Sequence, residues 1–403
     1  MQDLGSTVLM LLANTYATDI RVRREARTLV SEGLDVKVLS WDRQGQRAPR
    51  EALDKCDVLN VRFGKTTILP TSRLYFLMAA LLFQVAIFVW ILRRVGESGS
   101  VIVHAHDFNT LVGSVAARYL FRRQTRLIYD SHESTPGAYA EWYGWFVSAI
   151  VTRIELVAMR LVDGIVTANS AILAYLRGAS QVPAAIIYNC LARDEIPNVS
   201  RSEAKRKLGL ENYFVIYFPG KARQDYDLDM IIQTARFLRE NNGLSFKFVF
   251  TGPQETMLPL VKTIEAEHLE RLFDFRGWVT EQELLLHYLA SDLCFAVTRN
   301  IGLNTRILTP IRLFESMACR VPVVVRDGTL AADIVRQWGC GLVIDGRRTA
   351  FSEELMHLSE SQKESLGEAG HRAFLLEYNW DRMQARLLEL YAILGTSELA
   401  RKN

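Results

Sequence analysis

The stretch VLMLLANTYATDIRVRREARTLVSEGLDVKVLSW, residues 8–41, holds two short apolar runs separated by a charged segment. Val8–Leu12 and Val36–Leu39 have the length and composition of buried strands, and Asp19–Glu32 has the apolar spacing of an amphipathic helix. Asp19 is suited to cap the amino terminus of that helix. A strand, a helix and a second strand in this order predict a parallel α/β unit.

The same alternation of apolar runs and helical patterns continues through both halves of the chain. In the first half the further predicted strands are Val58–Phe63, Val101–His104, Leu127–Tyr129, Gly164–Ala168 and Ala185–Tyr188. A polar stretch with a proline, 191–200, is interpreted as a linker. In the second half the predicted strands are Phe214–Phe218, Ser245–Thr251, Leu272–Arg276, Leu293–Val297, Val321–Val325 and Gly341–Ile344. The sequence therefore predicts two doubly wound parallel-sheet domains, with ligands at the carboxyl ends of the strands.

The composition is that of a globular chain with little net charge. The 403 residues are 49% hydrophobic and 23% charged, which at about 150 residues per domain fits two or three domains. Lys and Arg number 48 against 45 Asp and Glu, and this balance argues against a dedicated nucleic-acid binder. The five cysteines include no CxxC pair, so neither a disulfide framework nor a structural zinc site is expected. The first residues lack the basic region of a signal peptide, which favours the cytosolic side.

One apolar run, Tyr75–Leu92 (YFLMAALLFQVAIFVWIL), is interrupted only by Gln84 and is just long enough to cross a bilayer. Predicted strands precede and follow it, however, and one sheet cannot lie on both sides of a membrane. We therefore interpret the run as a helix packed on the sheet, with one face at the lipid interface.

Two histidine-containing motifs follow neighbouring predicted strands. They are His104–Asp107 (HAHD) and Asp130–Glu133 (DSHE), and they hold three of the seven histidines. Because such strand ends open into the ligand crevice, these groups are candidates for chemistry. A His-x-His pair on a strand also suits zinc, but no further ligands at suitable spacing follow, so no metal is expected. The alternative is one buried ring and one polar contact to a sugar.

Two strand-to-helix turns are further candidates. The turn at 13–19 lacks a GxGxxG fingerprint but could offer backbone N–H groups, unless Asp19 is only a helix cap. The turn Pro219–Arg223 contains a glycine that allows a ligand to approach the backbone, and Lys221 with Arg223 could neutralise a diphosphate. A solvated basic turn is the alternative for this segment.

The segment 300–324 predicts a loop that enters a helix, with Thr309 as its N-cap and Pro310 at its first position. The N-terminus of such a helix is an anion site. Glu315, one turn further, could accept hydrogen bonds from ribose hydroxyls, or it could be only a partner of the helix dipole.

Thr309–Val324 (TPIRLFESMACRVPVV) resembles the P-x-K-L-x-E-x-M-A-x-G-x-P-V-V signature of family 4 glycosyltransferases. The DIRVRREA segment at 19–26 and the HAHD and DSHE motifs resemble a bacterial envelope-polysaccharide and glycolipid branch of that family. The resemblance implies the GT-B fold, two Rossmann-like domains facing across a cleft. It implies an acceptor domain at 1–194, a nucleotide-sugar donor domain at 200–375 and a helical tail at 376–403 that packs back on the first domain.

The resemblance also implies a role for each matched residue. His106 and Asn304 would contact the donor sugar near the reacting centre. The donor nucleotide and diphosphate would be bound by Gly220, Lys221, Arg223, Pro310, Arg312, Leu313 and Glu315. The acceptor or the cleft would be contacted by Asn14, Tyr16, Asp19, Asp107, His132 and Glu133.

The activity that the resemblance implies is that of a hexosyltransferase. It would move a sugar from a UDP- or GDP-linked donor, with retention of anomeric configuration and without an obligatory metal, by stabilising the leaving diphosphate. The acceptor would be a lipid-linked glycan or a polysaccharide at the cytoplasmic membrane face, and the apolar run would form a peripheral docking surface. The arginines expected on that surface are Arg93, Arg94, Arg118, Arg122, Arg123 and Arg126. A buried helix with ordinary surface arginines is the alternative.

Four positions depart from the family pattern. Ile307 stands where the first glutamate of a pair is expected, and Tyr226 stands where a lysine precedes the helix. Arg320 replaces a glycine, and Arg312 stands where lysine is common. The lost glutamate leaves open a noncatalytic homologue that scaffolds an envelope-assembly complex. A UDP-sugar 2-epimerase, which shares the two-domain architecture, is a further alternative.

Overall fold

The computed structural model of the protein describes residues 7–63, 73–223, 225–241, 245–347 and 349–399. The chain divides into two compact units, whose bounds are Met1–Tyr188 with Met383–Asn403, and Asn189–Arg382. Residues 1–6 and 400–403 of the predicted domains lie outside the described residues, and so do the side chains of Tyr75, Phe76 and Leu77 in the apolar run.

The described part of the first unit contains an eight-stranded sheet in the order β3-β4-β2-β1-β5-β6-β7-β8. Its strands are β1 (Thr7–Leu12), β2 (Val36–Trp41), β3 (Arg50–Leu53), β4 (Cys56–Val61), β5 (Val101–His106), β6 (Thr125–Ser131), β7 (Gly164–Thr167) and β8 (Ala184–Ile186). All neighbours run parallel except β3 and β4, an antiparallel pair at one edge. The sequence does not predict β3, because its four residues, REAL, lack the apolar run of a buried strand.

Helices cover both faces of this sheet. They are α1 (Ile20–Ser31), α2 (Arg73–Ser98), α3 (Phe108–Leu120), α4 (Thr135–Tyr143), α5 (Trp145–Ala158) and α6 (Ser170–Arg177). The steps β4 to β5, β5 to β6 and β6 to β7 cross the sheet in one direction, and the step β1 to β2 crosses in the other. Because crossovers between parallel strands are right-handed, α2, α3, α4 and α5 lie on one face and α1 lies on the opposite face.

The helix predicted over Asp19–Glu32 is confirmed as α1. Asp19 is its N-cap, and Oδ1 of Asp19 accepts a hydrogen bond from the Val22 N–H at 3.2 Å. Gly33 follows the helix with a φ of +84°, a left-handed conformation that a glycine adopts without strain. The helix therefore begins and ends where its capping residues predict.

The second unit has a six-stranded parallel sheet in the order β11-β10-β9-β12-β13-β14 within its described residues. Its strands are β9 (Phe214–Pro219), β10 (Phe246–Thr251), β11 (Phe273–Phe275), β12 (Leu293–Phe295), β13 (Val323–Arg326) and β14 (Gly341–Ile344). Its helices are α7 (Arg201–Leu208), α8 (Leu228–Glu240), α9 (Gln254–Ala266), α10 (Glu281–Leu289), α11 (Leu303–Ile307), α12 (Ile311–Ala318), α13 (Leu330–Trp338), α14 (Ala350–His357) and α15 (Glu360–Leu376). Phenylalanines from neighbouring strands, among them Phe218 and Phe250, pack face to face in the core.

The last described helix, α16 (Trp380–Leu399), carries the chain from the second unit back to the first, since residues from Met383 onward belong to the first unit. Gly164 at the start of β7 makes room for it, because a Cβ atom there would lie 3.1 Å from Leu394 Cδ1. The hydroxyl of Tyr391 lies 2.9 Å from Nδ1 of His104 on β5. This helix therefore packs on the α1 side of the first sheet.

The apolar run is a helix, as predicted, and forms most of α2. Its part Met78–Ser98 is long and apolar enough to cross a membrane, with a mean hydropathy of 1.8, and 33% of its most apolar window is buried. One arginine of the predicted docking surface, Arg118, does not lie on an exposed surface. Arg118 is buried, because its guanidinium donates two hydrogen bonds to the carboxylate of Asp163 at 2.7 and 2.8 Å.

Candidate functional site

The two histidine motifs lie side by side at the carboxyl edge of the first sheet. Alternate residues of a strand point the same way, so β5 places His104 and His106 on one face, with ring centroids 4.4 Å apart. The parallel strand β6 pairs Asp130 with His106. His132 follows β6, and its Nε2 lies 3.1 Å from Nδ1 of His106. The topology thus brings both motifs into one cluster.

Arg21 on α1 pairs with both buried carboxylates of this cluster. Nη2 of Arg21 donates to Oδ1 of Asp130 at 2.7 Å, and Nε donates to Oε1 of Glu25 at 3.1 Å. Arg21 is 5% exposed, and Glu25 and Asp130 are fully buried. An unpaired carboxylate would be costly at that depth, so the guanidinium is what allows both acids to lie beneath the histidines.

Asp130 and Asp107 hold the imidazole of His132 between them. Oδ2 of Asp130 lies 3.1 Å from Nε2 of His132 and 3.2 Å from Nδ1 of His106. Asp107 accepts a hydrogen bond from the backbone N–H of His132 at 2.9 Å, and its Oδ2 lies 3.8 Å from Nδ1 of the same ring. The φ of Asp107 is +63°, a strained conformation for a residue other than glycine. Such strain is often retained at a functional site.

These charges determine which groups of the cluster are ionised. Burial lowers the pKa of His132, but the carboxylates of Asp107 and Asp130 outweigh it and raise that pKa to about 10. Burial raises the pKa of Asp130, but Arg21 and His132 hold it well below its ordinary value. Burial, with a contribution from His106, lowers the pKa of His104. At neutral pH, Asp130 is therefore a carboxylate, His132 an imidazolium and His104 a neutral imidazole.

The same cluster contains the atoms that could hold a metal ion. Glu25, His104, His106 and Asp130 each place one ligand atom within 4.8 Å of the others. Among the described residues, Oε2 of Glu25 and the Nε2 atoms of His104 and His106 are buried without a hydrogen-bond partner. The guanidinium of Arg21, however, already pairs with both carboxylates, and burial, with a contribution from Asp130, raises the pKa of Glu25.

A cavity of about 260 Å³ opens beside the histidine cluster. It is lined by Leu12, Ala13, Asn14, Asp19, Arg43, His106, Asp107, Asn109, His132 and Glu133. Six of these residues are site candidates from the sequence. Tyr16 is not among them, because its ring is fully buried in the core and its hydroxyl donates to Asp54 at 3.2 Å.

In the second unit, the candidate donor residues gather around the amino terminus of α12. The helix begins at Ile311 with Pro310 as its N-cap, one position later than the predicted cap Thr309. The extended backbone of Pro310, with a ψ of 142°, explains the difference, since an N-cap residue is not helical. Glu315 is buried on this helix, and its Oε2 accepts a hydrogen bond from the Tyr288 hydroxyl at 2.6 Å. Leu313 lies in the core.

The guanidinium of Arg312 makes cation–π contacts with two aromatic rings next to the glycine turn. Its guanidinium carbon lies 4.4 Å from the ring centroid of Phe218 and 4.0 Å from that of Tyr226. Gly220 has a φ of +83°, and a Cβ atom there would lie 3.6 Å from Nη2 of Arg312. Stacking on two rings holds the planar guanidinium in place at little entropic cost. The turn after β9 therefore brings backbone and fixed positive charge together.

The remaining donor candidates are more exposed. Lys221 is exposed on the turn, Arg223 pairs with Asp225 at 3.0 Å, and Asn304 is half-buried on α11. Asp227 and Asp229, in the same acidic segment, pair instead with Arg326 and Arg299. A cavity of about 650 Å³ lies between α8 and α9. Of the predicted donor residues it is lined only by Arg223.

Comparison with known families agrees with the sequence resemblance. Residues 200–373 match the model of the family described as glycosyl transferases group 1, and residues 18–190 match that of the glycosyl transferase 4-like domain. The chain belongs to the group 1 glycosyltransferases. The match to the first of these families contains the whole of α12, and the match to the second contains both histidine motifs.

Curated relatives of this glycosyltransferase occur in two strains of Mycobacterium tuberculosis. They are named GDP-mannose-dependent alpha-(1-6)-phosphatidylinositol monomannoside mannosyltransferases and are 29% identical over 159 residues. The match covers 38% of this chain and 40% of the length of the relatives. The chain therefore matches less than half of these proteins.

Solved structures with the same fold cover nearly the whole glycosyltransferase. Sucrose-phosphate synthase from Thermosynechococcus elongatus superposes with a TM-score of 0.76 at 14% identity, over 97% of this chain and 100% of that one. The Anabaena protein HepE in complex with UDP gives 0.71 at 13% identity, over 96% and 99%. The fold of this chain is GT-B, as predicted.

Sequence reasoning on this glycosyltransferase assigned no role to several groups that complete the histidine cluster. Arg21 and Glu25 lie on the buried face of α1, Tyr391 reaches His104 from α16, and Arg43 and Asn109 line the cavity. The signal that could have found Arg21 and Glu25 is their four-residue spacing on the face that also carries Val22 and Leu29.

Proposed function

We propose that this group 1 glycosyltransferase moves a hexose from a UDP- or GDP-linked donor to a lipid-linked or polysaccharide acceptor, with retention of anomeric configuration. The observation that carries the proposal is the position of Arg312 and Glu315 at the start of α12. The guanidinium lies beside the Gly220 turn, and the carboxylate lies one helical turn further. The fixed cation and the helix N-terminus suit a diphosphate, and the carboxylate suits the ribose hydroxyls. Together they match a nucleoside diphosphate.

In this proposal the second unit binds the donor. Arg312, with Lys221 and the backbone N–H groups after Pro310, neutralises the diphosphate as it leaves. Glu315 accepts hydrogen bonds from the ribose hydroxyls, and Tyr288 holds its carboxylate in one orientation by donating to Oε2. Asn304 contacts the hydroxyls of the sugar.

The histidine cluster of the first unit contacts the donor sugar and the acceptor in this proposal. His106 lines the cavity with only 2% of its side chain exposed, so a sugar would meet one edge of its ring. Asp130 and His132 fix the direction of that ring, and Asp107 and Glu133 accept hydrogen bonds from the acceptor.

We propose that the acceptor is presented at the cytoplasmic face of the cell membrane, to which the protein binds peripherally. Support comes from α2, whose exposed stripe consists of Met78, Leu81, Leu82, Val85, Val89 and Leu92. The mycobacterial relatives are named for a phosphatidylinositol mannoside acceptor and a GDP-mannose donor. HepE was solved with UDP and with UDP-glucose, so both donor bases stay in the proposal.

We also propose that the reaction needs no metal. The diphosphate charge is met by Arg312 and Lys221, and the buried acids of the histidine cluster already pair with Arg21. The alternative that a specific observation favours is a noncatalytic scaffold. Ile307, half-buried at the end of α11, has no carboxylate to offer where the family pattern has a glutamate.

The test is a calorimetric titration of the purified protein with UDP, GDP and their sugar conjugates, with and without EDTA. We expect one nucleotide diphosphate to bind, with the same affinity in EDTA. Glu315→Gln, which keeps an acceptor for Tyr288, should weaken binding by about ten- to a hundredfold, the effect of losing a charged hydrogen bond. Glu315→Ala should abolish binding.

Glu281→Ala provides the matched control, because Glu281 is an exposed glutamate on α10 of the same unit. Its nucleotide affinity should equal that of the wild type. A folded wild-type protein that binds none of these nucleotides would refute the transferase and favour the scaffold. Nucleotide binding without any donor turnover, with all acceptors tried, would also favour the scaffold.

A further inference from the structure

Three aromatic side chains project into solvent where α4 meets α5. Trp142, Trp145 and Phe146 are 74, 79 and 63% exposed. α4 and α5 form a helical hairpin, since Oγ of Ser148 on α5 donates to the carbonyl of Pro136 on α4 at 2.8 Å. The three aromatic side chains therefore lie at the tip of this hairpin. Exposing so much aromatic surface is unusual for a soluble protein and marks an interaction site.

The hairpin that carries this tip is firmly anchored. Buried Glu155 on α5 accepts hydrogen bonds from the hydroxyls of Thr135, Tyr129 and Tyr175 at 2.5, 2.6 and 2.9 Å. These bonds join α5 to the start of α4, to β6 and to α6. A buried carboxylate satisfied three times gives the hairpin a fixed base. The exposure of the tip is thus a property of an ordered element.

The tip continues an apolar surface on the outer side of the same helical layer. α3 packs against both α2 and α5, and all three lie on one face of the sheet. The exposed stripe of α2 is joined there by Val112 and Tyr119 on α3 and by Ile150, Ile154 and Val157 on α5. Three neighbouring helices therefore present a mainly apolar surface outward, on which Arg153 of α5 is an exposed charge.

Charge is distributed unevenly around this surface. α2, α3 and α5 run from the carboxyl edge of the sheet back to the amino edge, so their carboxyl ends share that edge. Arg93, Arg122, Arg123 and Arg160 are exposed there, against one exposed glutamate, Glu97. The opposite edge carries the aromatic tip, with the exposed carboxylate of Glu141 beside Trp142. An apolar plane with arginines along one edge and tryptophans at the other has the composition of a membrane-interface surface.

The tip is next to the cavity beside the histidine cluster. The hydroxyl of Tyr139, one turn before Trp142 on α4, donates to Oδ1 of Asn109 at 2.8 Å, and Asn109 lines that cavity. A partner surface that binds the tip would therefore lie close to the mouth of the cavity.

We infer that the aromatic tip Trp142–Phe146 and the apolar faces of α2, α3 and α5 bind together to a bilayer that contains anionic lipid. The inference rests on the proposed function and deepens it. It replaces a contact through α2 alone by a three-helix plane, and it places the acceptor cavity at the lipid surface. The excess of exposed arginines along one edge favours an anionic bilayer as the occupant, because negatively charged headgroups complement that charge.

The test is cosedimentation with vesicles of equal parts phosphatidylcholine and phosphatidylglycerol, compared with phosphatidylcholine alone. The wild type should bind the anionic vesicles more tightly. Trp142→Ser with Trp145→Ser should lower that affinity by about a hundredfold, because two aromatic side chains leave the interface. Arg122→Gln with Arg123→Gln should lower it by about thirtyfold on anionic vesicles and leave binding to neutral vesicles unchanged.

Trp278→Ser is the matched control, because Trp278 is 73% exposed in the second unit, and its vesicle affinity should equal that of the wild type. Vesicle binding that survives the double serine change overturns the inference. Light scattering that shows a dimer which the same change dissociates overturns it as well. Nucleotide titration of the same samples separates the two levels: vesicle binding lost with nucleotide binding kept refutes only the docking plane, and a folded wild type without nucleotide binding refutes the proposed function.

Discussion

His132 lies between two carboxylates with its side chain 20% exposed, and its protonation state determines how the cluster around Asp130 is held. Burial opposes its charge, and the nearby carboxylates of Asp107 and Asp130 favour it more strongly, so its pKa is raised to about 10. The ordinary value is 6.5. A residue that stays charged through neutral pH in this position keeps Nε2 as a donor toward Asp130.

This raised pKa predicts a pH dependence of stability with a definite sign. Protonated His132 stabilises the folded state fully below pH 6.5, the pKa it would have unfolded, and the contribution is lost as the pH rises toward 10. The unfolding temperature of the wild type should therefore fall between pH 7 and 10 more than that of His132→Gln. Thermal unfolding at a series of pH values measures this difference.

His357→Gln is the control for that series, because His357 is exposed on α14 and its variant should follow the wild type at every pH. Asp107→Asn should lower the pKa of His132, which nitrogen-15 chemical shifts of the ring report directly. Parallel stability curves for wild type and His132→Gln would contradict the assignment of His132 as an imidazolium.

At the scale of single residues, the sequence predicted the histidines and missed what surrounds them. Polar groups that follow buried strands stand out, because the edge of a parallel sheet is where such groups converge. Arg21 and Glu25 belong to the 19–26 segment that resembles the family, but sequence reasoning assigned them no role, since charged residues on a helix are usually solvated and only the fold turns these two inward. Tyr16 follows a strand as the predicted site residues do, but its hydroxyl finds a partner in Asp54 and its ring enters the core.

At the scale of elements, α16 is the segment whose role depends most on long-range packing. Its Tyr391 is buried, and the Tyr391 hydroxyl lies 2.9 Å from Nδ1 of His104, which stacks on His106. Because His104 is neutral, its ring needs a partner for Nδ1 in a place that water does not reach. Tyr391 thus contacts the cavity ring of His106 only through His104, which lies between them.

Tyr391→Phe should lower the free energy of unfolding by about 1–2 kcal/mol, because the ring nitrogen of His104 loses its buried partner and the packing stays the same. Denaturant unfolding measures the change. Tyr119→Phe on α3 removes a hydroxyl from a side chain that is 70% exposed and should leave stability unchanged. Equal effects of the two changes would show that the contact with His104 stabilises nothing.

Most elements could be predicted from the sequence, because buried parallel strands form apolar runs and their helices carry recognisable caps. The exceptions have physical reasons. β3 is a polar edge strand, and its pairing with β4 supplies the order that its own residues do not indicate. The observed N-cap of α12 is Pro310, one residue after the predicted cap Thr309. Both residues are compatible with the start of a helix, and only the backbone conformation distinguishes them.

At the scale of the whole molecule, the two units carry different chemistry. The first unit contains the histidine cluster and its cavity, and the second contains Arg312 and Glu315 on α12. The residues of one set give no information about those of the other. The sequence predicts them in separate halves, because each half has its own α/β pattern and its own motifs. Which residues of the two sets act in one reaction step is a property that patterns along one chain do not indicate.

This division predicts that changes in the two units affect different kinetic constants. His106→Ala should leave the affinity for the nucleotide diphosphate unchanged and lower the turnover of the donor sugar by about a hundred- to a thousandfold, because the group proposed to contact the reacting sugar is gone. His106→Asn, which keeps a polar group beside Asp130, guards against a loss of activity through misfolding. Glu315→Gln should act mainly through KM, because it weakens the binding of the donor before the reaction begins. Nucleotide titration and donor turnover on the same samples give both constants. A fall in nucleotide affinity in both His106 variants would contradict the separation, and unchanged turnover in both would remove His106 from the reaction.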